Sequence, residues 1–299
     1  MGKKLKKEMI RQLYNVAGHC FAVNVNENDT IVSSLTQYEP FRMDASCDVP
    51  TVFELDVVEV SAFPSTEGFV EENSQDDDGS EIVSGHVGDS PFFEFRIRGA
   101  AAGRLLTNTA YNHALLTTLG EREYGLNCSL MVMYALATAR LQTALFHSSV
   151  TSYQGKGYMF LGKSGTGKST HSSLWLKYIE GTELMNDDNP VVRIIDGQAW
   201  VFGSPWSGKT PCYRNVKAPV GAIVRLRQAP KNEIRRLRGV EAYAAVVPSI
   251  SGKRWDKALA DGLHETENLL ASRAPIYHLD CLPDEGAARL CMGTVTRED

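Results

Sequence analysis

The chain of 299 residues has little cysteine, and none of it is clustered. Cys20, Cys47, Cys128, Cys212, Cys281 and Cys291 are scattered, with no C-x-x-C pair. That excludes a zinc knuckle or a disulfide framework as the organising feature and fits a reducing, cytoplasmic setting. Basic residues are not in excess either. The net charge is −5, where a nucleic-acid binder is usually basic, so no nucleic-acid partner is expected. Long apolar runs are also missing. Residues 126–145 come nearest, but Asn127, Arg140 and Gln142 interrupt them. Their apolar positions recur at helical spacing and predict a buried helix, so no membrane association is expected. The basic start (Lys3, Lys4, Lys6, Lys7, Arg11) leads into no apolar run, which argues against a signal peptide. There is no internal repeat.

What is present divides the chain in two. Residues 1–125 predict a β-rich lobe of unassigned role. Apolar and polar residues alternate over 21–25, 51–60 and 92–97, and more weakly over 81–87. Between these runs, residues 71–81 carry six acids: Glu71, Glu72, Asp76, Asp77, Asp78 and Glu81. Close like charges repel, so this stretch predicts a solvated, mobile loop. Residues 126–299 alternate strands and helices and predict an α/β nucleotide-binding lobe with a mixed sheet. Strands are expected at 141–152 and 157–161, then at 183–188, 221–227 and 276–281, with a hairpin at 191–202 turning on Asp196-Gly197. Helices are expected at 170–180, 240–247, 257–272 and 285–292.

The strongest signal is Gly162-Lys163-Ser164-Gly165-Thr166-Gly167-Lys168-Ser169-Thr170. It fits the pattern G-x-x-x-x-G-K-[ST] of a phosphate-binding loop. Glycines let backbone N–H groups curl around phosphate oxygens where a Cβ would obstruct them. Lys168 supplies a charge for the β- and γ-phosphates, and the Ser169 hydroxyl is suited to Mg²⁺. The apolar run 158–161 before it reads as a strand and the stretch after it as a helix. The positive N-terminus of that helix would face the phosphates. ATP with Mg²⁺ is the expected ligand.

Asp187-Asp188 follows Gly162 by only 187 − 162 = 25 residues. The acidic strand is thus the next element after the helix. Two carboxylates at a strand end beside a triphosphate suit kinase chemistry, one holding Mg²⁺ and the other accepting a proton from the attacking hydroxyl. A structural reading, in which the pair caps a turn before Pro190, stays open. His147 precedes the loop by 162 − 147 = 15 residues, on the strand before it. Residues 203–211 (Gly-Ser-Pro-Trp-Ser-Gly-Lys-Thr-Pro) form a loop from which Lys209 could reach phosphate and Trp206 could wall off a substrate. Lys231, Arg235, Arg236 and Arg238 form a basic cluster that reads as a solvated face or a dock for an acidic partner.

With these residues in view, the chain resembles the bacterial HPr serine kinase/phosphorylase group, which shares its fold with ATP-dependent phosphoenolpyruvate carboxykinase. The resemblance rests on His147, the 162–170 loop and Asp187-Asp188. It covers residues 135–215 well and the rest of the C-terminal half loosely. It implies that His147 supports the catalytic Asp187, that Asp187 is the base, and that Ser169 and Asp188 hold Mg²⁺. The Leu-Glu-Ile-Arg-Gly-type run of that group is absent, and 203–209 stands in its place. The implied activity is phosphoryl transfer from ATP to a protein, peptide or small-molecule hydroxyl, most simply a serine. A carboxykinase-like enzyme and a non-catalytic ATP-binding module are the alternatives. A homo-oligomer is also implied by the resemblance.

Overall fold

The computed structural model describes residues 9–77, 79–208 and 210–297. The chain is α/β with two mixed sheets, and it divides into the compact units Met1–Ala137 and Thr138–Asp299. No helix among the described residues is long and apolar enough to cross a membrane.

The first unit is built on strands β1 (Met9–Val16), β2 (His19–Asn26), β3 (Arg42–Met43), β4 (Phe53–Val57), β5 (Val70–Asp77), β6 (Ser80–Val87), β7 (Ser90–Ile97), β8 (Ala100–Thr107) and β9 (His113–Thr118). A single turn α1 (Ile31–Ser34) and the long helix α2 (Arg122–Thr138) accompany them. The sheet order is β3-β1-β2-β4-β9-β8-β7-β6-β5, with β2, β4 and β9 parallel. Alternating apolar residues turn one face of β2 and β4 inward, where Phe21 and Phe53 stack at 4.9 Å. Helix α2 comes close to β8 because two glycines meet. A Cβ on Gly125 would lie 2.3 Å from the Ala102 carbonyl, a distance no side chain tolerates.

Two sequence expectations fail here, each because strand pairing overrides the local pattern. The acidic stretch 71–81 is not a loop. Most of it is β5, paired to β6 from Val70↔His86 to Asp77↔Ser80. Every residue of β5 is exposed, so no side-chain pattern marks it, and its charges guard a sheet edge against further pairing. The helix expected over 126–145 stops at Thr138, and Thr143–Leu145 is a strand.

The second unit contains β10 (Thr143–Leu145), β11 (Ser148–Tyr153), β12 (Lys156–Leu161), α3 (Lys168–Tyr178), β13 (Glu183–Asp188), β14 (Val191–Ile195) and β15 (Gln198–Phe202). After these come β16 (Lys217–Gln228), β17 (Glu233–Leu237), α4 (Gly239–Val246), α5 (Lys257–Arg273), β18 (Ile276–Cys281) and α6 (Glu285–Val295). The long β16 organises the sheet. Its first residues pair antiparallel with β15, and its later ones pair parallel with β12 and β18. Helices α3 and α6 bury Trp175, Ala288 and Cys291 on Tyr158, Phe160, Val224 and Leu279 of these strands. The single strand expected over 141–152 is broken in two. At the break Phe146 bridges to Ile250 and the His147 N–H donates to the Ser249 carbonyl at 2.7 Å. The basic cluster is partly strand. Arg235 and Arg236 lie in β17, and Arg235 pairs with Glu241 at 2.9 Å.

Candidate functional site

The 162–170 segment joins the end of β12 to the start of α3, at the carboxyl ends of the parallel strands. Gly165 and Gly167 have φ of 77° and 103°, a region that L side chains rarely enter. The turn is closed by the Thr166 N–H on the Lys163 carbonyl at 3.1 Å. Lys163, Ser164, Ser169 and Thr170 are exposed, while Lys168 is buried at 8% exposure.

Antiparallel β11 sets the register of the carboxylates, because Ser149 pairs with Asp187 and Ser148 with Asp188. His147 immediately precedes β11 and so arrives beside Asp188. Its Nε2 lies 3.2 Å from Asp188 Oδ1 and 2.9 Å from Lys168 Nζ, and Lys168 also donates to the Gly162 carbonyl at 3.1 Å. The structure therefore brings together Lys168, His147 and Asp188. The partner of His147 is Asp188, where the resemblance implied Asp187, because the break between β10 and β11 sets the imidazole next to the Ser148↔Asp188 pair. One nitrogen faces a cation and an anion. It accepts from Lys168 if it is unprotonated and donates to Asp188 if it carries the proton, so both bonds cannot be made at full strength together.

The two carboxylates differ in environment. Asp187 is 2% exposed, and its Oδ2 is buried without a hydrogen-bond partner. Asp188 has a half-open carboxylate, with Oδ2 accepting from Asn189 Nδ2 at 2.6 Å. Its φ is 136°, whereas the other positive-φ non-glycine residues among those described sit at 49–55°. Such a backbone state costs roughly 1–3 kcal/mol and persists where the surroundings impose it.

The 203–208 stretch packs on this pair. Ser207 bridges to Asp188, its Oγ donates to the Asp187 carbonyl at 3.1 Å, and the Gly208 N–H donates to the same carbonyl. A Cβ on Gly208 would lie 3.0 Å from Asp188 Cβ. Lys209 lies outside the described residues. Trp206 is 2% exposed, so its side chain is part of the core. Its carbonyl accepts from Asn186 Nδ2 at 3.1 Å, and Ser204 Oγ accepts from the same amide at 3.1 Å. Asn186 and Ser204 thus hold the 203–208 stretch against β13. The sequence reading missed both, because nothing local marks a buried Asn as a loop anchor.

The residues fit the group they were expected to hold. The loop leaves room for a ligand where glycines stand, and Asp187 Oδ2 is an orphaned buried acceptor, a costly state unless a cation or donor meets it. No cluster of three or more His, Cys, Asp or Glu suited to a metal occurs among the described residues. Mg²⁺ needs none, since it usually takes one or two protein ligands with phosphate and water.

Compared with known proteins, no family model and no curated protein sequence matches the chain. Among solved structures, the HPr(Ser) kinase/phosphatase of Coxiella burnetii is similar over 50% of this chain and 93% of its own, at 11% identity and a TM-score of 0.30.

Proposed function

We propose that the second unit binds Mg²⁺-ATP at the 162–170 loop and transfers the γ-phosphoryl group to a hydroxyl, most simply a serine of a protein or peptide. The observation that carries this reading is the chain from Lys168 through His147 to Asp188 at the mouth of a glycine-rich loop. Loop N–H groups and the N-terminus of α3 favour the phosphates. Lys168 leaves His147 for the triphosphate, which frees Nε2 to carry its proton and donate to Asp188. Asp188, half-open and oriented by His147, accepts the acceptor's proton as the hydroxyl oxygen attacks the γ-phosphorus and ADP departs. Asp187 and Ser169 are the residues to hold Mg²⁺, which when bound neutralises charge on the phosphates. These roles reverse the two aspartates relative to the sequence expectation. The support for the reversal is that Asp188 is the more open carboxylate and the one beside His147, whereas Asp187 keeps a buried acceptor atom without a partner.

The test is single-turnover transfer from labelled Mg²⁺-ATP to serine-containing peptides. Asn has nearly the shape of Asp, so Asp188→Asn removes the charge with little change in side-chain volume. It should bind Mg²⁺-ATP within a few-fold of the parent while transfer falls by roughly 10²–10⁴. Asp187→Asn should instead raise the Mg²⁺ needed for half-maximal binding. Transfer at the parental rate by Asp188→Asn would exclude it as the base.

A further inference from the structure

A cleft of about 520 Å³ opens beside the glycine-rich loop, inside the ~300–1,000 Å³ range of small-molecule sites. One wall is a face of α3: Gly167, Thr170, His171 and Leu174 follow helical spacing away from the loop. The other wall is made by Gln228 at the end of β16, by Ala229 after it, and by Leu282 and Pro283 after β18. In open α/β sheets, ligands sit outside the carboxyl ends of parallel strands, and this cleft has that position. A ligand with its phosphates in the loop and its remainder running along α3 would enter it.

Two of the lining residues carry planar polar groups, Gln228 and His171. Gln228 Nε2 donates to the carbonyls of Gly165 and Thr166, at 3.1 and 3.4 Å. Carbonyls only accept, so this fixes which end of the amide is nitrogen and leaves Oε1 as an acceptor. His171 lies at the back. Trp175 Nε1–H donates to its Nε2 at 3.2 Å, which puts the ring proton of the neutral imidazole on Nδ1. That Nδ1 is buried and has no partner. Burial also lowers the His171 pKa to about 4, so the ring is neutral at physiological pH.

We propose that this cleft holds the nucleoside end of a purine nucleoside triphosphate, its base between Leu174 and Leu282–Pro283, with Gln228 Oε1 accepting from the base and His171 Nδ1–H donating to it. The proposal rests on the nucleotide reading of the loop, and the two can fail separately. Leu174 is half-buried, lining the cleft while also packing on the core, and Leu174→Trp fills the cleft without adding a charge beside the loop. Ala229→Phe fills it from the opposite wall, in case the first variant folds poorly.

The experiment is calorimetric titration of the full chain, in Mg²⁺, with ATP, CTP and inorganic tripolyphosphate. ATP should bind at least 10-fold more tightly than tripolyphosphate, and CTP should fall between them. Either cleft variant should bring ATP down to the level of tripolyphosphate while leaving tripolyphosphate within 2-fold of the parent. Equal affinity for ATP and tripolyphosphate in the parent would overturn the cleft and leave the loop standing. So would unchanged ATP affinity in both variants. No binding of any of the three would overturn the loop reading and the cleft with it.

Discussion

At the residue scale, the site depends on close approaches and on buried groups that lack partners. Gly208 is an example of the first. Its backbone lies so near Asp187 and Asp188 that a methyl group would stand 3.0–3.3 Å from their atoms, so that these must give by a few tenths of an ångström. Gly208 is itself exposed, so Gly208→Ala should leave the unfolding midpoint within about 0.5 kcal/mol and lower phosphoryl transfer at least 10-fold. Equal transfer rates would show that this stretch does not set the position of the carboxylates. His171 is an example of the second. Burial lowers its pKa from 6.5 to about 4, so between those values the unfolded chain binds the proton more readily than the folded one. Stability supported by neutral His171 is complete above pH 6.5 and is lost as pH falls toward 4. The total is about 3 kcal/mol at 1.36 kcal/mol per unit. Urea unfolding of the parent and of His171→Gln at pH 4.5, 5.5 and 7 should give a steeper pH dependence in the parent. Parallel dependences would contradict the buried, neutral imidazole. The sequence made the 162–170 loop and the aspartate pair legible because their chemistry is local. It did not reveal His171, Gln228 or Asn186, whose roles come from neighbours 4, 63 and 18 residues away.

At the element scale, α4 and α5 are joined by a buried charge. Glu267 is fully buried, and it accepts from Arg254 at 2.6 Å, from Tyr243 at 2.8 Å and from His264 at 3.0 Å when that nitrogen carries a proton. Arg254 also donates to the Val247 carbonyl at 3.1 Å. Removing the cation leaves an uncompensated carboxylate, so Arg254→Met should cost about 3–5 kcal/mol, read by chemical unfolding. The double variant with Glu267→Gln should recover part of that loss. If Arg254→Met costs under 1 kcal/mol, the network is not a tie between the helices. Elements with their own periodicity or turn chemistry were legible in the sequence. The hairpin of β14 and β15 has Asp196 and Gly197 at φ 49° and 77°, the conformation that an Asp-Gly turn favours. Strand β13 likewise ends on its carboxylates, as the sequence suggests. Strands β5 and β17 were not legible, because each is rich in charge and forms through its partner, β6 or β18; β5 is exposed throughout and β17 buries only Leu237 fully.

At the scale of the whole molecule, the alternation of strands and helices in the second half conveys its α/β class. It does not convey that β16 is shared between an antiparallel neighbour close in sequence, β15, and parallel neighbours more than 50 residues away, β12 and β18. The account centres on Mg²⁺-ATP binding at the 162–170 loop through Lys168, and the most direct measurement is a calorimetric titration of the parent and Lys168→Ala with ATP in the presence of Mg²⁺. The account requires saturable one-to-one binding by the parent and a loss of about 10²-fold or more in the variant, the scale for losing a preorganised charge contact. An unsaturated titration of the parent at millimolar ATP, or equal affinities for the two proteins, would contradict it.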